Sequence, residues 1–585
     1  MEYYEVPFCN PCAGADTLVY YRFRDRESLS GEWRIAIDQY DNCLKNRWFE
    51  EKTVSDEGYQ LPVDYSFDTW PITRLPANWN RIHKELKLYE GSVCYFRTWH
   101  YEPHDKDERV LLRIGAANYV SRVFINKRFV GMHLGGSTPF NMDITDFLNE
   151  DNRILIVVSN ERRGEYVPSR ETDWFNYGGI FREIEILRLP PVYIRDFRIS
   201  LVPDGKFDKI LISASLSEKV SEKACFELPA LGIAEELPVT KGRGRKTIRL
   251  GKKAGELVLW SPDTPHLYDV KLTCGRDCVR DQVGLREFRV DGNDLLLNGR
   301  PIYLKGISCH ENSRETGRAL TKKEIVANLK LAKELGCNFM RAAHYPHSEM
   351  LAYEADRMGI MLWEEVPVYW GIHFENEETY KDAHNQLLEM IRRDFNRASV
   401  IIWSVGNENA DTDPRLSFMG RLADSAREED PARPVSAACL VNFSKNAIED
   451  RLEEKLDIIG VNEYFGWYDP NFERLPKFFE NSRPDKPVII TEFGADASSG
   501  FHGDPETKGT EECQAEVYRI QTDCLKDIPY VKGMSPWILH DFICPRRTSS
   551  LQNYYNTKGL VSADKRHRKL AFDVLKKFYA SLDRK

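Results

Sequence analysis

SVIIWSVGNEN, residues 399–409, is a nearly unbroken apolar run that stops at a paired amide and carboxylate. Val400, Ile401, Ile402 and Val405 are β-branched, the pattern of a strand buried on both faces as in a parallel sheet. Asn407 and Glu408 then fall at the strand's carboxyl end, where open α/β sheets and closed α/β barrels keep their chemistry. The plain alternative is one more buried strand ending in a solvated loop. The rest of the chain has to separate the two.

From Ile302 onward, strand candidates alternate with helical stretches. In order they are PIYLKGIS (301–308), CNFMRAA (337–343), GIMLWEE (359–365), SVIIWSVG (399–406), RPVSAAC (433–439), LDIIGVN (456–462), KPVIITEFG (486–494) and VKGMSPWIL (531–539). TKKEIVANLKLAKELG lies between the first two, with a Thr321/Glu324 capping box, Ile325, Leu329 and Ala332 on one face, and Gly336 as a stop. Eight such units predict a (β/α)₈ TIM barrel over residues 287–585.

Upstream the period changes to two. VCYFRTWHYEP, RVLLRIGA, NYVSRVFIN, KRFVGMHL and RILIVVSN each read as a strand, with a hairpin turn at Asn126-Lys127, so residues 1–188 predict an all-β sandwich. Its last part, DWFNYGGI (173–180), sets three aromatics beside two glycines and reads as a site-forming loop. After Pro190-Pro191, residues 189–286 carry YIRDFRISLV, KILISASL, KTIRLG, GELVLW and LYDVKLTC, an immunoglobulin-like sandwich of about seven strands without its paired cysteines. GLREFRVDGNDLLLNGRPIYLKG is a hairpin-rich crossing into the barrel, with turns at Asp291-Gly292 and Asn298-Gly299.

Composition narrows the function. Apolar content of 42%, charged content of 30% and a net charge of -9 describe an ordinary globular chain with no basic surplus for nucleic acid or an anionic membrane. No basic start precedes an apolar core at the N-terminus, no run is long enough to span a bilayer, and the 13 cysteines are scattered, which together predict a cytoplasmic protein with reduced thiols. Cys9 and Cys12 form a lone C-x-x-C, read as two free thiols rather than a metal site.

On the eight-strand count, Glu408 ends strand 4 and Glu492 ends strand 7, so both carboxylates rise from one rim. Cleavage of a glycosidic bond needs such a pair, one ionised and one protonated, and a shared pocket pushes their pKa values apart. The motifs W-S-V-G-N-E (403–408), I-T-E-F-G (490–494), C-H-E (309–311) and R-A-A-H-Y-P (341–346) make the chain resemble glycoside hydrolase family 2 over nearly its whole length. That resemblance implies a jelly-roll first domain, then the immunoglobulin-like sandwich and the TIM barrel. It also implies a retaining mechanism with Glu408 as acid/base and Glu492 as nucleophile, about 5–5.5 Å apart. Within the family the chain looks most like the β-glucuronidases, because Asn556-Thr557-Lys558 matches their Asn-x-Lys pair for the uronate carboxylate.

The same likeness places Tyr464 beside the nucleophile, Tyr468 near the uronate, and Asp173 and His310 on sugar hydroxyls. Asn407 falls on the 2-hydroxyl, Trp537 of strand 8 under the pyranose, and Arg341 of strand 2 against Glu492. Tyr464, Tyr468 and Trp537 could equally fill the barrel's top layer. Glu364 and Glu365 are left as supporting or solvated groups. An arginine usual before the Asn-x-Lys pair is replaced by Leu551-Gln552-Asn553, so carboxylate binding leans on Lys558 or borrows Arg546 or Arg547. The segment after strand 3 is short, which predicts an open mouth. The partner is then a small-molecule or oligosaccharide glucuronide, and the family favours homodimers or tetramers. No metal or cofactor is needed for catalysis, though some relatives bind a non-catalytic flavin. The other readings are a galacturonide, β-galactoside or β-mannoside substrate, or a carbohydrate-binding protein on an inactive scaffold.

Overall fold

The computed structural model describes residues 8–61 and 66–582. In the N-terminal sandwich a seven-stranded sheet faces a four-stranded one. Trp33, Tyr95, Ile125 and Ile156 of the first sheet interlock with Leu112, Ile114, Phe140 and Ile186 of the second. The expected hairpin is present. Ile125 pairs with Arg128, and Asn126 and Lys127 both take positive φ (50° and 68°), as a two-residue turn that follows strand twist requires.

Seven strands in sheets of three and four make the second sandwich, as the strand count predicts. GELVLW is a correction: Gly251–Glu256 is a 3₁₀ helix and the residues after it join no sheet. Its apolar run is used for docking instead. Trp260 is fully buried against the bottom of the barrel, where its Nε1 donates to the Asp356 carbonyl at 2.8 Å.

The barrel closes through eight parallel strands, β1 (Leu304–His310), β2 (Phe339–Ala343), β3 (Met361–Glu365), β4 (Val400–Asn407), β5 (Val435–Leu440), β6 (Ile458–Asn462), β7 (Val488–Glu492) and β8 (Val531–Met534). Each of the eight sequence segments supplies one. All residues of β4 are buried, as its β-branched run demands, at roughly 1.5–3 kcal/mol of transfer free energy per large apolar side chain. Helix α1 (Lys322–Leu335) has its capping box formed, with Thr321 Oγ1 accepting from the Glu324 amide at 3.3 Å and Gly336 left-handed at φ 91°. Only a 3₁₀ turn, Arg451–Lys455, joins β5 to β6.

A three-stranded sheet (Phe288–Asp291, Asp294–Leu297, Arg300–Pro301) seals the barrel's N-terminal end. Phe288, Leu295 and Leu297 pack there on Leu304, Phe339, Met361, Ile401, Ile458 and Ile489. The first sandwich docks on the barrel through buried polar contacts. Arg182 of the sandwich meets Glu311 after β1 at 2.8 Å, where Arg318 of the barrel joins the same carboxylate at 3.2 Å, and His133 of the sandwich shares a 2.9 Å hydrogen bond with Glu389. This docking holds the 173–180 loop over the mouth. Among the described residues no helix is long and apolar enough to cross a membrane.

Candidate active site

β4 delivers two polar residues to the mouth through a backbone turn. Asn407 ends the strand and Glu408 follows with left-handed backbone, φ 52°, a conformation costing a non-glycine residue about 1–2 kcal/mol. β5 and the segment after β3 hold it there. The Glu408 amide donates to the Ala438 carbonyl at 2.8 Å, the Asn407 amide to Val368 at 2.9 Å, and the Trp370 amide back to Asn407 at 3.0 Å. The Glu408 carboxylate then accepts from Trp370 Nε1 at 2.7 Å and Asn462 Nδ2 at 3.0 Å. Burial, and next the nearby charge of Glu492, push this carboxyl up to about 7, against the two hydrogen bonds.

Glu492 ends β7 in a different setting. It is 4% exposed, and its two oxygens accept from Arg341 Nη1 at 2.7 Å and Tyr464 Oη at 2.6 Å. Arg341, in the middle of β2, has no solvent exposure and also donates to Glu365 (2.9 and 3.2 Å) and to Asn407 Oδ1 (2.7 Å). Burial alone would raise the Glu365 carboxyl, but Arg341 and His344 overcome it and hold it at about 2. Glu365 is therefore a fixed anion behind the site. Glu364 faces away, toward Arg393 at 3.8 Å.

Asn407 Oδ1 accepts from both Arg341 and Asn462, which leaves its buried Nδ2 without a protein partner. His310 is alike: Nδ1 shares a 3.1 Å hydrogen bond with Tyr345 Oη, Nε2 is buried and unpartnered, and burial drives the imidazole well below its ordinary pKa, so it is neutral. Two buried hydrogen-bonding nitrogens left open beside a carboxylate pair suit a polyhydroxylated ligand. Trp537 corrects one expectation. β8 stops at Met534, and Trp537 follows on a connection whose amide bonds the Phe493 carbonyl at 2.8 Å. Its ring still joins Trp174, Tyr345, Tyr369 and Phe542 in an apolar wall, stacked on His344 with centroids 4.8 Å apart.

Lys558 is 1% exposed, which excludes a solvated lysine. Its Nζ donates to Asp496 Oδ2 at 2.6 Å and lies 5.1 Å from the centre of the Tyr468 ring. Tyr468 stands 5.0 Å from Tyr464, the hydroxyl donor to Glu492, so two tyrosine rings link the lysine to that carboxylate. Asn556 Nδ2 donates to Asp173 Oδ2 at 3.2 Å, and Arg547 pairs with the same aspartate. All eleven residues singled out from the sequence thus meet around this mouth. Trp370, Asn462, His344 and Asp496 were not singled out, although His344 stands inside the R-A-A-H-Y-P motif and Asn462 ends the LDIIGVN segment.

Two family models match the chain: the glycosyl hydrolases family 2 TIM barrel domain over residues 288–583 and the sugar binding domain of that family over residues 26–190. A β-glucuronidase of Paenibacillus borealis is 29% identical, over 94% of this chain and 96% of its own length. The solved β-D-glucuronidase of Dictyoglomus thermophilum is 27% identical with a TM-score of 0.80, over 96% of this chain and 98% of that one. A β-galacturonidase of Eisenbergiella tayi shares the fold, with a TM-score of 0.81 at 24% identity over 95% of this chain and 96% of that one.

Proposed function

The chain belongs to glycosyl hydrolase family 2 and is a glycoside hydrolase, and we propose that it releases terminal β-D-glucuronic acid from β-glucuronides with retention of configuration. Glu408 protonates the leaving oxygen while Glu492 attacks the anomeric carbon. The bond to the aglycone breaks as the glycosyl–Glu492 ester forms. Esterification removes the Glu492 charge, which lowers the Glu408 pKa and turns it from acid into base. Glu408 then takes a proton from water, whose oxygen displaces Glu492.

Asn407 Nδ2 and His310 Nε2 are free for sugar hydroxyls, with Asn407 placed for the 2-hydroxyl, a contact that strengthens in the transition state. The observation that carries the choice of sugar is the buried Lys558, joined to the carboxylate pair through Tyr468 and Tyr464. An ammonium in that place makes a charge-assisted bond to a C6 carboxylate that a neutral hexose cannot return. The activities of the Paenibacillus and Dictyoglomus relatives agree with this reading.

The test is a panel of aryl β-glycosides differing only at C4 and C6, run on the native chain and on Lys558→Ala. Glucuronide turnover should fall by roughly 10²–10³-fold in the variant, and glucoside turnover should not. Equal losses on both would remove the carboxylate role, and faster turnover of galacturonide by the native chain would change the sugar.

A further inference from the structure

We propose a second binding site, for an acidic oligosaccharide, in the cleft where the three domains meet. The cleft has a volume of about 710 Å³, within the range of ligand-sized pockets, and neither Glu408 nor Glu492 lines it. Its walls are residues 18–22, the outer face of the three-stranded sheet of the second sandwich, and the end of the barrel helix Asp413–Glu429. The sheet face carries the chemistry. Strands Ile194–Leu201, Lys209–Leu216 and Arg243–Arg249 lie side by side, and their alternation sends Ile199, Ile210, Ile212 and Ile248 into the core. Arg198, Ser213, Ser215, Arg243 and Arg245 are left on the cleft side, and Arg195 joins them where the register shifts between Ile194 and Asp196. Ser215 stands opposite Arg243 and Ser213 opposite Arg245.

Of these cations only Arg198 is neutralised, by Asp196 at 2.8 Å and by Glu429. Arg195, Arg243 and Arg245 join no ion pair among the described residues; Arg195 gives one hydrogen bond, to the Asp16 carbonyl at 2.8 Å. The Asp16 carboxylate is held by Arg392 instead, at 2.7 Å. That bond keeps its carboxyl below the ordinary value against burial, and the charges of Arg195 and Arg243 add to the effect, so the field at this rim is positive in a chain of net charge -9. The spacing sets the class of ligand. Arg195 and Arg243 are two strands apart, roughly 9–10 Å at ordinary strand spacing, with the Ser213 and Ser215 hydroxyls on the strand between. A single phosphate group is held by donors that converge on it, whereas cations spread along a band with hydroxyls between them match carboxylates separated by neutral sugars. Glu428, which also lines the cleft, is an acceptor for sugar hydroxyls and a charge that disfavours a phosphate dianion.

The experiment uses the full chain as Glu492→Gln, so that no ligand is turned over, saturated with an aryl β-glucuronide to fill the mouth of the barrel. It is titrated by calorimetry with a tetrasaccharide in which glucuronate alternates with N-acetylglucosamine. One tetrasaccharide is expected to bind per chain. Adding Arg243→Ser and Arg245→Ser together is expected to weaken it about 10–100-fold, and raising the salt should weaken it in the chain that keeps both arginines. Both side chains are exposed, so the double variant should fold, and in the native background its aryl glucuronide turnover should stay within about twofold. No binding, or binding unchanged in the double variant, would overturn the inference. So would a nucleoside monophosphate, or a neutral tetrasaccharide, that binds the cleft as tightly. An aryl glucuronide that neither binds nor reacts marks a different failure, that of the uronide reading above, and the tetrasaccharide titration is then read without it.

Discussion

Trp370 and Glu408, 38 residues apart in the chain, are joined by a 2.7 Å hydrogen bond from indole Nε1 to carboxylate Oε2, and both have left-handed backbone at φ 52°. The bond favours the ionised carboxylate, so it opposes the burial and the Glu492 charge that raise the Glu408 pKa. The acid must be protonated to act, and kcat/KM should therefore fall as pH rises through about 7. Removing the indole donor in Trp370→Phe should move this basic limb upward by roughly 0.5–1 pH unit. A pH–rate profile on an aryl glucuronide measures it, and a limb that moves down would contradict the role given to the bond.

The two carboxylates should fail differently. Glu492→Gln is expected to cut turnover by roughly 10⁴-fold or more without unfolding the chain, and added azide should give an inverted glycosyl azide. With Glu408→Gln and an activated leaving group, azide should give the retained product. The anomeric configuration of each, read by NMR, checks the assignment, and an exchange of the two products would reverse it.

Asn407 has only its buried Nδ2 left for a ligand. Asn407→Ser should lower kcat/KM by roughly 10²-fold on a glucuronide, because the 2-hydroxyl contact is worth most in the transition state. A 2-deoxy substrate lacks that partner and should lose much less. Equal losses on both substrates would mean that Asn407 acts only by holding Arg341 and Asn462.

Glu365 gives a stability prediction with a definite sign. Its carboxyl is held at about 2, below its unfolded value, so its contribution is full above the unfolded pKa and disappears as pH falls through about 4.5 toward 2. Glu365→Gln strips a buried partner from Arg341 and His344 and should cost about 3–5 kcal/mol near neutral pH. Denaturant melts at several pH values should show the gap to the native chain closing on the acid side of that window.

The eight strands, the α1 cap and the Asn126-Lys127 turn were legible because each is local: a period, a capping pair, a dipeptide. GELVLW misled for the same reason, since a local apolar run does not tell a sheet neighbour from a neighbouring domain, and Trp260 packs on the latter. Glu408 and Glu492 emerged once the strands were counted, because strand ends in a barrel share a rim. Trp370 and Asp496 carry no such mark. They enter through pairings with Glu408 and Lys558 across 38 and 62 residues of chain, fixed only when the loops at the barrel's mouth close on one another.

The small sheet that seals the far end of the barrel packs Phe288, Leu295 and Leu297 on the strand starts, and the barrel beneath the site is filled core rather than a passage. On the proposed double displacement, reactant and product therefore share the way past the mouth, and the departing alcohol occupies the path that the incoming water must take. Any other alcohol waiting there competes with water for the glycosyl group, and the balance between hydrolysis and transfer is then a question of traffic at one doorway.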